Sequence, residues 1–272
     1  MSARVQLATA EVEFDDLGAG TPILLLHGFP ATRYLWSQVT PVLVGQGYRA
    51  IAPDLVGYGS SSPKPDVRLD MASQARWMWE LLDRLGIDRA FIVAHDVGSA
   101  AAQLMVTESP ARVRGLVILD GVHETQWAMD AIESIRAWDD ADAARLSPVL
   151  ARRLGKSQHL RTMLAAYAGE GGGARLIRAA RALDPTQTAS IGGRLRASRV
   201  RSLVLWGRDD RYLDIDSVAR PLAELLGAPL VILPGGHFTP SDCPQEVSGA
   251  ICEFVRTAAA IEASSSSQAA ER

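Results

Sequence analysis

Cysteine is scarce in this chain, with only Cys243 and Cys252, both close to the C-terminus. Two thiols so placed make neither a disulfide framework nor a metal-ligand set, so both are read as reduced and partly buried. Charge of one sign is lacking as well. A formal net charge of −3 and 22% charged residues leave no basic stripe for nucleic acid and no acidic tail. No apolar run reaches transmembrane length, and "MSARVQLATAEVEF" lacks the basic segment, apolar run and cleavage site of a secretory signal. These absences predict a cytoplasmic protein whose partner is a small-molecule substrate, with no nucleic acid and no membrane, as monomer or homodimer.

What the chain does have is apolar content. At 272 residues and 47% hydrophobic it can bury a substantial core as one domain of ordinary to large size. Short runs rich in Val, Ile and Leu alternate with segments of helical period, the pattern of a largely parallel sheet with crossover helices. The strand candidates are "VEFDD", "PILLLHG", "YRAIAPD", "AFIVAHD", "VRGLVILD", "RSLVLWG" and "PLVILPGG". Each ends in Asp, Gly, His or Pro, so each carboxyl end meets a loop, and that edge is where open parallel sheets bind ligands.

Between them, "TRYLWSQVTPVLVGQG", "MASQARWMWELLDRLG", "DSVARPLAELLGA" and "PQEVSGAICEFVRTA" have the three- and four-residue spacing of amphipathic helices. The alternation breaks after Asp120. Only Ala-, Arg- and Leu-rich helical stretches follow until a strand-like run resumes at Arg201. This predicts a core of residues 1–121 and 200–258, a helical cap over 122–199, and a disordered tail over 259–272, where the sequence drifts into low complexity. The cluster Gly169, Gly171, Gly172 and Gly173 lacks the preceding strand and the Lys-Ser/Thr ending of a phosphate loop and is read as a cap turn.

The stretch "FIVAHDVGSA" places Asp96 at the tip of a fully apolar strand. Ala94, His95, Asp96, Val97 and Gly98 fill the pattern small, any, nucleophile, any, small, which allows a sharp strand-to-helix turn. A carboxylate with an ordinary pKa of about 4 is already ionised near neutral pH, so it attacks without a base. Its target is a saturated carbon bearing a leaving group, and the resulting ester must then be hydrolysed.

That second step needs a base. Of five histidines, His27 precedes a tight loop, His95 adjoins the nucleophile, and His159 lies in the cap without a supporting motif. His237, in "VILPGGHFTP" at the end of the last strand, stands where a late-chain base belongs. For the orienting acid, Asp210 in "LVLWGRDDRYL" is preferred, its neighbour Asp209 competes, and Asp120 in "LVILDGVHE" is kept as an alternative. After the strand "PILLL", the backbone N–H of Phe29 is expected to join that of Val97 in an oxyanion hole for the hydrolytic step.

In order along the chain, "HGFP", "DLVGYGSSSPKP", "AHDVGSA", "WGRDD" and "PGGHF" resemble the α/β-hydrolase superfamily. Within it they resemble the branch with an aspartate nucleophile, the epoxide hydrolases and the haloalkane and haloacetate dehalogenases. The resemblance implies an α/β-hydrolase fold: a mostly parallel eight-stranded sheet flanked by helices, with an inserted helical cap, and no metal or organic cofactor.

It also implies a choice of reaction. Haloalkane dehalogenases carry Trp after the nucleophile and a halide donor after the first His-Gly, where this chain has Val97 and Phe29. Haloacetate dehalogenases place arginines after the nucleophile, where Val97 and Ala100 stand. Epoxide hydrolases use two cap tyrosines to protonate the opening oxygen. This cap has Tyr167, while Tyr212 lies just past the acid loop, and Trp127, Trp138 and His123 are further donors that could line the pocket. The favoured reaction is epoxide opening to a vicinal diol. The alternatives are carbon–halogen hydrolysis, a biosynthetic isomerase or cyclase, and a non-catalytic ligand-binding protein. Arginine in excess of lysine and the Ala-rich helices hint at a bacterial source.

Overall fold

The computed structural model describes residues 2–139, 143–154 and 157–270. Nine strands form one sheet: β1 (Ser2–Gln6), β2 (Ala10–Leu17), β3 (Thr21–Leu26), β4 (Tyr48–Pro53), β5 (Ser62–Pro63), β6 (Ala90–His95), β7 (Val113–Leu119), β8 (Ser202–Gly207) and β9 (Leu230–Leu233). Eight of them follow the order β1-β2-β4-β3-β6-β7-β8-β9, and the two-residue β5 pairs with β2. Pairs involving β2 are antiparallel and all others are parallel. The interior strands β3 and β6 are buried along almost their whole length, which is why they read as continuous apolar runs. β1 escaped the sequence reading because its exposed residues give no apolar run.

Eleven α-helices lie among the described residues. In the core these are α1 (Thr40–Gly45), α2 (Met71–Arg84), α3 (Gly98–Glu108), α8 (Gly192–Ser198), α9 (Arg220–Leu226), α10 (Thr239–Asp242) and α11 (Pro244–Ala270). Between β7 and α8 come α4 (Met129–Arg136), α5 (Ala143–Leu154), α6 (Gln158–Leu164) and α7 (Gly172–Ala182). α4 and α5 pack on α7, and α6 packs on α5, whereas α8 packs on α3 and α9. The end of the segment expected as cap therefore lies with the core.

Two other expectations differ from the structure. The stretch 32–47 is not one helix but a 3₁₀ turn, Arg33–Trp36, followed by α1. Pro41 lacks an N–H, and its ring would clash with the carbonyl four residues earlier in a continuous helix. At the other end, α11 continues to Ala270 instead of ending in a disordered tail, and residues 271–272 lie outside the described ones. Alanine favours helix, and Glu262 pairs with Arg89 and Arg114, tying that extension to the core.

The cap is pinned to the core by polar contacts. In α6, His159 donates from Nε2 to the Tyr34 carbonyl at 3.1 Å, and its Nδ1 lies 2.9 Å from Ser241 Oγ. Its ring stacks on Tyr34. That arrangement makes His159 a docking residue.

Candidate active site

The turn after β6 holds Asp96 at φ 52°, a left-handed conformation that few residues other than glycine adopt. Neighbouring glycines make room for it. A Cβ at Gly28 would lie 2.3 Å from Asp96 Oδ1, and one at Gly98 would lie 2.3 Å from the His27 carbonyl oxygen. The small-residue frame seen in the sequence is thus a packing requirement: β3, β6 and α3 meet at the elbow.

Asp96 is buried, and its two oxygens have different surroundings. Oδ1 accepts the Phe29 N–H at 2.7 Å, and the adjacent Val97 amide also stabilises the negative charge. Oδ2 lies 3.4 Å from His237 Nε2. On the far side of the imidazole, His237 Nδ1 is 2.9 Å from Asp210 Oδ2. Asp210 Oδ1 in turn accepts the N–H groups of Tyr212 and Leu213 at 2.8 and 3.1 Å, which fixes the acid's orientation.

Burial pushes the Asp96 carboxyl up, but the contacts with His237 and the Val97 amide outweigh it, so the group sits below its ordinary value. Burial likewise opposes charge on His237, yet the carboxylates of Asp210 and Asp96 raise the imidazole well above its usual 6.5. The acids on either side of the ring thus favour the protonated imidazole between them.

Asp120 does not join that row, which corrects its candidacy as the acid. Its Oδ1 accepts the Gly207 N–H at 2.7 Å and its Oδ2 bonds the Thr239 hydroxyl, with no hydrogen bond to His237. Asp209 lacks the contact too; it is Asp210 that meets the ring. His27 is a strut: its Nδ1–H donates to the Gly28 carbonyl at 2.8 Å and its Nε2 accepts the Leu55 N–H at 2.9 Å. Burial pushes it down to about 4.

A cavity of about 190 Å³ opens over Asp96 and His237. From the core, Phe29, Pro30, Tyr212 and Phe238 line it; from the cap side, Ile132, Ile135, Trp138, Leu146 and Leu150 do. Among the described residues, no Lys or Arg is on its wall. Of the expected substrate contacts, Trp138 and Tyr212 are present, and the Tyr212 ring stands edge-on to His237 at 5.1 Å between centroids.

The other three are placed elsewhere. The Tyr167 hydroxyl donates to the Ala31 carbonyl at 3.0 Å, inside the joint between cap and core. Trp127 donates from Nε1 to the Glu124 carbonyl and Thr188 Oγ1 at 3.0 and 3.1 Å. His123 is buried in a short bridge with Gln126, off the cavity wall. Each was expected from chain position alone; Tyr167 and Trp127 bond backbone carbonyls instead, and His123 is placed by its backbone bridge to Gln126. Sequence reasoning missed the apolar wall from α4 and α5; its only signal was the helical period of those segments, which does not say which face meets a cavity.

The sequence profile of the α/β-hydrolase fold family matches residues 21–162, slightly more than half of the chain. The chain belongs to that family. Curated relatives of this α/β-hydrolase include epoxide hydrolase 2 of Siraitia grosvenorii, 41% identical over 104 residues, which are 38% of this chain and 33% of the relative. A haloalkane dehalogenase of Agrobacterium fabrum is 37% identical over 105 residues, 39% of this chain and 34% of that one. The matched stretch spans about a third of the length of these relatives.

Among solved structures, a haloalkane dehalogenase from Bradyrhizobium elkani superposes with a TM-score of 0.81 at 22% identity, covering 96% of this chain and 99% of its own. An esterase from Thermogutta terrifontis gives 0.76 at 24% identity, over 94% and 99% of the two chains. At such identities the likeness is one of fold. No helix among the described residues is long and apolar enough to cross a membrane.

Proposed function

We propose that this α/β-hydrolase opens an epoxide through an ester on Asp96 and hydrolyses that ester to a vicinal diol. The observation that carries the reading is the asymmetry of Asp96 on the cavity wall: Oδ1 is held by the Phe29 amide, while Oδ2 stands beside His237. The held oxygen becomes the ester carbonyl, and the other is the nucleophile.

Oδ2 attacks a ring carbon, the carbon–oxygen bond breaks, and the alkoxide takes a proton from a donor on the cavity wall. Tyr212 fills that role, since the Tyr167 hydroxyl is engaged with Ala31. Ester formation removes one of the two anions that raise His237, so its affinity for a proton falls. The imidazolium proton then passes to the Tyr212 oxygen, leaving His237 neutral and able to act as base. His237 Nε2 next takes a proton from water, whose oxygen attacks the ester carbonyl. The Phe29 amide, which holds Oδ1 at rest, and the adjacent Val97 amide hold the resulting oxyanion. Collapse breaks the ester bond, the departing alkoxide receives the remaining water proton, and the carboxylate–imidazolium pair is restored. The net reaction is epoxide plus water to diol.

Displacement of halide from a haloalkane uses the same three residues and is the second reading, supported by the dehalogenase relatives. The epoxide is preferred because Val97 and Phe29 offer no side-chain donor to a halide, while Tyr212 offers a hydroxyl to an oxygen. The test is a His237→Gln variant given panels of epoxides and haloalkanes, with mass spectrometry of the peptide containing Asp96. Accumulation of an ester of substrate mass is expected, at a turnover reduced on the order of 10²–10⁴-fold. Turnover by the native enzyme with no ester in the variant would sink the covalent mechanism, and halide release without diol formation would favour the second reading.

A further inference from the structure

Asp120 follows β7 at φ 44° with its side chain fully buried, and the chemistry proposed for Asp96, Asp210 and His237 does not use it. Its oxygens reach two different loops. Oδ1 accepts the N–H of Gly207, the last residue of β8, three positions before Asp210. Oδ2 bonds the hydroxyl of Thr239, two positions after His237. In the sheet order β7-β8-β9, Asp120 therefore reaches past the end of β8 to the loop that follows β9.

The turn that carries it is itself fixed. Val122 N–H donates to Ser99 Oγ at 2.9 Å, and a Cβ at Gly121 would lie 2.3 Å from Ile118. The other flank of the histidine is held from β6, where His95 Nε2–H donates to the His237 carbonyl at 2.7 Å.

We propose that Asp120 is a positioning residue that sets the separation between the acid loop and the histidine loop, and so aligns His237 with Asp210 on one side and the hydrolytic water on the other. The inference rests on the covalent reading above. Burial, with the nearby Asp210 carboxylate adding to it, pushes the Asp120 carboxyl up to about 8 despite the opposing pull of His237 and the Thr239 and Gly207 bonds. The shift favours the neutral carboxyl, which adds no further anion beside the imidazole. As a neutral acid it accepts from Gly207 through one oxygen and shares a proton with Thr239 through the other, a pattern that an asparagine reproduces.

The two half-reactions separate positioning from mere structural support, because alkylation by Asp96 needs no base and ester hydrolysis does. In rapid-mixing experiments Asp120→Ala is expected to hydrolyse the ester roughly 10- to 100-fold more slowly, the scale of a misplaced catalytic group. Alkylation stays within about threefold of the native rate, so the ester on Asp96 builds up. Asp120→Asn is expected within about threefold of native in both steps, since it keeps both hydrogen bonds. Thr239→Val removes one link, shows the same selective loss at about tenfold, and supplies the answer if Asp120→Ala does not fold.

A uniform fall in both half-reactions without ester accumulation overturns the proposal. So does unchanged hydrolysis in Asp120→Ala and Thr239→Val, or an Asp120→Asn enzyme as slow as the alanine variant. The His237→Gln variant distinguishes the two levels. If it traps an ester and neither Asp120→Ala nor Thr239→Val does, positioning alone fails; if it traps none either, the covalent reading fails and the positioning role falls with it.

Discussion

On the sheet side of the cavity, the reactive groups are fixed by hydrogen bonds: Asp96 Oδ1 to the Phe29 amide at 2.7 Å, His237 Nδ1 to Asp210 at 2.9 Å, and Asp210 to two further amides. On the side formed by α4 and α5, the wall is mainly apolar surface contributed by Ile132, Ile135, Trp138, Leu146 and Leu150. One side holds atoms to a fraction of an ångström, because proton transfer and in-line attack depend on direction. The other only has to exclude water and match a shape, and apolar contact is not directional. The proposed mechanism therefore concentrates chemistry on the core wall and leaves substrate choice to the opposite wall, and substitutions on the two sides should fail in different ways.

The largest effect is expected from Asp96→Ala. Removal of the proposed nucleophile leaves the cavity and His237 in place, so substrate still binds while turnover falls on the order of 10⁴-fold or more. Steady-state kinetics with a binding assay on the same variant check this. A variant retaining a tenth of native activity would refute the covalent role and shift weight to an acid–base reaction without an ester.

A second test uses pH. Asp96 sits below the ordinary carboxylate value, so alkylation, read in kcat/KM, should persist as pH falls until Asp96 itself is protonated. Hydrolysis needs neutral His237, which Asp210 still holds up after the ester has formed. Where hydrolysis limits turnover, kcat should fall at a higher pH than kcat/KM as the solution is acidified. Acid limbs that coincide would mean that one group governs both steps, contrary to the division of labour between Asp96 and His237.

On the cap wall the expected changes are smaller and concern preference. Trp138→Ala enlarges the cavity and should improve a bulky epoxide relative to a small one by about tenfold, the range that a few buried carbon atoms command. The check is the ratio of kcat/KM values for two epoxides that differ in one substituent. An equal loss on both would make Trp138 part of the chemistry, and the contrast between the walls would weaken.

The same contrast governs what the sequence disclosed. Asp96, His237 and the strands beneath them were legible because an elbow at positive φ demands a particular frame: Gly28 and Gly98 are small where any Cβ would collide. Position alone favoured Asp210 without excluding Asp120, since both follow strand ends; the decision lay in whether a carboxylate met an imidazole or the Gly207 amide and Thr239. In the cap, apolar helices leave no chemical mark on the face that meets the cavity. Tyr167 and Trp127 carried plausible donors, and partners such as the Ala31 and Glu124 carbonyls are backbone groups that every sequence contains. The α11 extension was missed for a related reason: an Ala- and Ser-rich segment reads as low complexity, and the Arg89 and Arg114 contacts to Glu262 come from distant parts of the chain.

The smallest expected effect tests the boundary between the two walls. Tyr167 belongs to the cap region, yet its hydroxyl donates to the carbonyl of Ala31, two residues after Phe29 in the oxyanion loop. Tyr167→Phe leaves that buried carbonyl without its partner, which should cost about 1–3 kcal/mol of stability. The melting temperature should then fall by about 2–4 °C for each kcal/mol. If Tyr167 is only a strut, kcat stays within about threefold, because the Phe29 amide is also held by Asp96 itself. If it protonates the opening oxygen instead, kcat for epoxides falls about 100-fold or more while the melting temperature barely moves. In that event the alkoxide proton would come from the cap and not from Tyr212, and the side of the cavity described as passive would be taking part in bond breaking.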